Sequence, residues 1–174
     1  NELIFGSNDI QILKDICLQS SKSRTYLKAL PLYADIIAPY YWWREFSIIH
    51  PGTRFSPITT NHIILDKIKS NEFSLSDFST DHMDSLSIRN LEQTINILNR
   101  NRDLYLETND NTYWWQLIQL LPSSYNCKFH IVINYDIALQ IYTSEYKMCE
   151  DHWDVLCKWI ELLPGFSQVI NGGN

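Results

Sequence analysis

Two Cys-x-x-His pairs stand in this chain, Cys127 with His130 and Cys149 with His152. Thiolate and imidazole are the ligands of tetrahedral zinc, and two such pairs supply the four that a closed site needs. The local pattern opposes that use. In "NCKFHIVIN" apolar and polar residues alternate, which predicts a half-buried strand. Cys127 and His130 are an odd number of residues apart, so a strand turns them to opposite faces. His50, His62 and His82 are scattered, and no HExxH occurs. No metal site is expected.

Other polar groups have ordinary readings beside functional ones. Glu150-Asp151-His152 sets two carboxylates beside an imidazole, but acids at a helix start also favour the helix dipole. Arg44 and Arg54 carry the planar fork that suits phosphate or carboxylate, and they serve equally as surface arginines. Glu45 offers an acceptor at a pocket edge. His130 stands on the more polar strand face, where it lines a cleft or meets solvent. GxGxxG, GxxxxGK[ST] and GxSxG are absent, as is any known Cys-His nucleophile signature. The Tyr and Trp residues can stack on a flat ring, although their helical spacing suits core packing.

The elements that must position these residues are legible in the periodicity. A helix is predicted over 8–20, with Ile10, Leu13, Ile16 and Cys17 together. Ser20–Arg24 is a polar break. A strand follows over Leu32–Ala38, closed by Pro39, and then an aromatic helix in "PYYWWREF". "SIIHPGTRFSP" reads as loop, "TTNHIILDKIK" as a short helix, and 70–83 as a packed loop. The longest helix is predicted over 84–105, with Ile88, Leu91, Ile95 and Leu98 on one face. "YWWQLIQLL" is a helix stopped by Pro122. The strand ending at Asn134 leads into a helix to Tyr146 and another over about 150–163. "YWW" occurs twice, read as two buried amphipathic helices and not as a duplicated half. The sum is an α+β domain, a small sheet packed with several helices.

Bulk properties narrow the function classes. The 174 residues, 45% hydrophobic and 13% aromatic, suit one domain over 1–174 with a substantial core and a loose tail at 166–174. A net charge of −6 argues against a nucleic-acid partner or an anionic membrane surface. No apolar run reaches membrane-spanning length. Four cysteines without CxxC, and no signal-like start, imply free thiols in a reducing cytoplasm.

Leu121-Pro122, the strand to Asn134, the helix behind it and Trp153 resemble the C-terminal part of the flavin-dependent thymidylate synthases, the thymidylate synthase complementing family. Trp153 lies where that family carries an Ala-Gln-Trp segment, with about one extra residue between. The upstream order is similar too, so the resemblance spans roughly residues 8–163, with few identities. A closer likeness is to uncharacterised proteins of Firmicutes and their phages, which share the "YWW" and "LLPSSYN" stretches. The thymidylate synthase resemblance implies that fold, FAD as cofactor, a nucleotide ligand and a homo-oligomer with flavin sites between subunits. A pocket would draw on His50, Arg44, Arg54, Asn134 and His130.

The departures from the family pattern bear on the reaction. The Arg-His-Arg positions fall on Ile48, Ile49 and His50. The downstream Ser and Arg-Tyr fall near Ile58-Thr59-Thr60-Asn61. The nucleotide-binding arginine falls on Glu145, an anion that would repel phosphate. No catalytic residue is assigned. The reading is a divergent thymidylate synthase-like protein with an altered flavin or nucleotide pocket, without dUMP methylation. The alternative is a non-catalytic, phage-derived scaffold.

Overall fold

The computed structural model describes residues 6–17, 23–49, 54–55, 60–144 and 150–166. Seven helices and three strands are found among them. They are α1 Ser7–Cys17, β1 Pro31–Pro39, α2 Tyr40–Ile49, β2 Arg54–Phe55, α3 Thr60–Ser70, α4 Ser85–Thr108, α5 Asn111–Leu120, β3 Asn126–Asn134, α6 Tyr135–Thr143 and α7 Glu150–Glu161. This is the expected α+β architecture. The sheet has three strands in the order β1-β3-β2.

Helix boundaries follow side-chain chemistry. Asp84 caps α4, its Oδ1 accepting from the Ser87 amide at 2.7 Å, and Asp110 caps α5 through Thr112 N at 2.8 Å. Each carboxylate satisfies a donor that the first helical turn leaves open. Asn109 ends α4 with φ 53°, a left-handed conformation that asparagine tolerates better than most residues.

The pairing of β1 with β3 can be read from its two ends. Tyr135 N donates to Leu30 O at 3.2 Å at one end, and Tyr40 N donates to Tyr125 O at 2.9 Å at the other. Numbers rise along one strand as they fall along the other, so the pair is antiparallel. The same register sets Asp35, midway along β1, beside His130 of β3. On β3, Cys127, Phe129, Ile131 and Ile133 are buried while Lys128 and His130 are exposed, the predicted alternation.

Two compact units divide the chain: residues 1–34, 47–54 and 131–174, and residues 35–46 and 55–130. The division cuts β1, α2, β2 and β3, which therefore contribute to both. In the first unit, Tyr135 Oη donates to Pro164 O at 3.0 Å and Tyr142 Oη to Glu161 Oε1 at 2.8 Å. Phe166 packs against both tyrosine rings, tying the end of α7 to α6. Trp153, Leu156, Cys157 and Ile160 form the buried face of α7, as its spacing predicts.

The second unit has an aromatic centre. Trp42 stacks on Phe46 at 5.0 Å, and Trp43 meets Phe129 at 4.5 Å. The indole Nε1 of Trp43 donates to Cys127 O at 3.1 Å, so this buried ring keeps its polar atom satisfied. Asn99 holds the 71–78 segment by accepting from Phe73 N at 2.7 Å and donating to Phe73 O at 2.9 Å.

Several expectations need correction. A 3-10 helix over Ser23–Ala29 replaces part of the predicted break, with Leu27 as its buried anchor. α2 runs on through Ile49, and β2 lies inside the segment read as loop. Pro51-Gly52, on which the loop reading rested, lies outside the described residues. The two "YWW" segments also differ. Trp42 and Trp43 are buried, whereas Trp115 on α5 is 57% exposed, because α5 turns Leu117 inward instead. The predicted extension of α6 to Tyr146 lies outside the described residues beyond Ser144.

Burial pushes the Cys127 thiol up to about 12 from its ordinary 9.0. Native Cys127 should therefore resist a thiol-specific reagent at pH 8 and react once the protein is unfolded, as peptide mapping would show. A raised thiol contributes stability that is complete below pH 9.0 and is lost as pH climbs toward 12. Rapid modification of Cys127 in native protein would contradict its burial.

Candidate functional site

The polar groups singled out from the sequence lie in different settings. On the exposed face of β1 and β3, Asp35 is the hub of a three-residue cluster. Its Oδ2 lies 3.0 Å from Lys128 Nζ, and its Oδ1 contacts His130 Nδ1. Lys128 and His130 are two apart, so a strand turns both the same way. The hydrogen bond from Lys128, and next that from His130, hold the Asp35 carboxyl below its usual range. A lowered carboxylate adds stability above its unfolded pKa and loses it as pH falls. Solvent screens this exposed cluster, so its contribution to folding is small.

His130 thus has an acceptor already. Asn134, at the far end of β3, caps α6: its Oδ1 accepts from Ile137 N at 2.9 Å. Its extended backbone, with φ −133° and ψ 172°, is what an N-cap requires. The side-chain Nδ2 remains as a donor. Arg44 is exposed on α2, and its neighbour Glu45 is half-buried. His50 and the side chain of Arg54 lie outside the described residues, as do Glu145 and Cys149. Arg44 and His130 belong to one unit and Asn134 to the other.

The predicted separation of Cys127 from His130 holds, the first being buried and the second 64% exposed in its side chain. Asp151 and His152 sit in the first turn of α7, Asp151 exposed and His152 half-buried. Among the described residues, no three His, Cys, Asp or Glu side chains converge as metal ligands.

Sequence reasoning missed two features of the second unit. Asp35 is one: its phase along β1, opposite the Lys128–His130 phase of β3, was a readable signal once the strands were known to pair. The other is an open polar groove of about 720 Å³ bordered by Lys67, Ser70, Glu72, Ser74, Asp77 and Arg102. Lys67 pairs with Asp77 at 2.8 Å, and Ser74 closes a capping box with Asp77. Arg102 Nη2 donates to Ile68 O at 3.1 Å and its Nη1 meets Asp103 at 3.0 Å. Both cations on its border, Lys67 and Arg102, are thus already engaged.

No known family model matches the chain, and no curated protein matches it. A solved structure does: the flavin-dependent thymidylate synthase ThyX of Helicobacter pylori, crystallised with FAD and dUMP. The TM-score is 0.63 at 17% identity, over 94% of this chain and 81% of that one. The likeness defines the fold, a thymidylate synthase-type α+β arrangement. Among the described residues no helix is long and apolar enough to cross a membrane.

Proposed function

We propose that this chain is a divergent ThyX-like protein that binds a flavin or a nucleotide in an altered pocket and has lost dUMP methylation. One observation carries the reading: the fold matches, over 94% of the chain, a protein solved with both FAD and dUMP. A flavin nucleotide presents a diphosphate and a flat ring. Of the residues proposed for the pocket, Arg44, exposed on α2, carries the planar guanidinium that suits a diphosphate. Asn134 Nδ2 is a neutral donor for a ring carbonyl. His130 would take part only by leaving Asp35. This donor set is thin for a dianion. Subunits that share the pocket, as a homo-oligomer, complete the reading.

The test is the absorbance spectrum of purified protein, before and after excess FAD and desalting. A retained flavin band is expected, and dUMP should then perturb it. A colourless protein whose melting temperature is unmoved by FAD or dUMP would overturn the proposal. That result would favour the second reading, a non-catalytic scaffold. One observation supports it: His130 and Asn134 both make contacts that organise the sheet and a helix start.

A further inference from the structure

We propose that β1 is an association edge for a second copy of this chain, the two β1 strands pairing antiparallel about a two-fold axis at Asp35. Among the described residues β1 ends the sheet, with β3 on its only paired side. An edge strand of nine residues offers a row of backbone donors and acceptors that another strand can use. Pro31 and Pro39 bound it, since neither has an N–H to donate.

The side chains favour a copy of the same strand. Tyr33 is 73% exposed and Ile37 67% exposed, and both share the outward face with Asp35. A two-fold through residue 35 sets Tyr33 opposite Ile37 of the second copy, and Ile37 opposite its Tyr33. Aromatic against β-branched is among the favourable cross-strand pairs, and the symmetry makes it twice. A slip by one residue would turn these side chains to opposite faces, so the register is specified.

Two aspartates facing each other at the axis would repel on their own. Each is tied sideways to Lys128 and His130 on β3, away from the open edge. Asp35 and Lys128 together are neutral, so the two centres meet without net charge. Among the described residues the far end of the sheet is β2, a strand of two residues, which offers little for propagation. The pairing therefore closes at two copies.

This interface needs no ligand and stands apart from the flavin reading. The test is analytical ultracentrifugation of flavin-free protein over a wide concentration range. The wild type should show a monomer–dimer equilibrium. Tyr33→Glu and Ile37→Lys alone should each weaken it, on the order of tenfold or more. The double variant Tyr33→Glu/Ile37→Lys should recover association, because each introduced carboxylate faces an introduced ammonium across the axis. Within one strand those positions are four residues apart, too far to pair with each other. A monomeric wild type, single variants that dimerise normally, or a double variant that stays monomeric would each overturn the proposal. Both positions are exposed, and circular dichroism with thermal melting would verify folding of every variant.

Discussion

Replacing Phe46 by alanine should destabilise the protein by about 3–5 kcal/mol, the range for deleting a buried aromatic ring. Phe46 is fully buried. It stacks on Trp42 at 5.0 Å and meets the edge of Trp43 at 5.8 Å. Trp43 in turn packs on Phe129 and holds the Cys127 carbonyl. The ring is thus the inner wall of a stack that joins α2 to β3 within one unit. Alanine would leave a cavity beside two rigid indoles, which cannot collapse easily to fill it. Urea unfolding at constant m-value measures the loss. Phe46→Leu should cost markedly less, since it keeps most of the volume. Equal losses for the two variants would show that ring stacking, not cavity size, dominates.

The second large effect has the opposite sign. Asn101 lies on the buried face of α4 with Leu91, Ile95 and Leu98, and it is 0% exposed. Neither Oδ1 nor Nδ2 meets a hydrogen-bond partner among the described residues. Burying an unpaired amide costs about 1–3 kcal/mol. Leucine keeps the same branched outline, with methyl groups bulkier than the amide's oxygen and nitrogen, and has no polar atom. Asn101→Leu should therefore raise stability by about 1–3 kcal/mol, read as a higher urea midpoint. Asn101→Ala is the control, and it should gain less, because it trades the unpaired amide for a void. A loss of stability with both leucine and alanine would mean that the amide is hydrogen-bonded in solution, whereas a loss with leucine alone would mark overpacking.

Asn101 also shows where pattern reading stops. The α4 periodicity exposes the face made by Leu91, Ile95 and Leu98, and the structure buries them as expected. It also predicts Ile88 on that face, and Ile88 is only half-buried. An asparagine three residues past Leu98 looks like the polar edge of the helix. Its burial comes from packing in the second unit, which a single helical wheel does not contain.

The elements themselves were set by local chemistry. Alternation in "NCKFHIVIN" makes a strand whichever partner it finds, because a strand turns every second side chain inward. Asp84, Asp110 and Asn134 start helices because their side-chain oxygens reach amides two or three residues ahead. Trp153, Leu156, Cys157 and Ile160 line one helical face by spacing alone. From these the sequence by itself determined an α+β chain, most element positions and the opposite facing of Cys127 and His130.

Only the tertiary structure decided which polar groups meet. Asp35 and His130 are ninety-five residues apart, and nothing local announces their contact. It exists because β1 and β3 pair antiparallel in one register, and a shift of one residue would have turned Asp35 away. The same pairing commits His130, and the start of α6 commits the Asn134 oxygen. A residue's type advertises what it can bind, but its neighbours determine what it does bind. Those neighbours are chosen by strand register and packing between distant segments, interactions that a linear pattern does not encode.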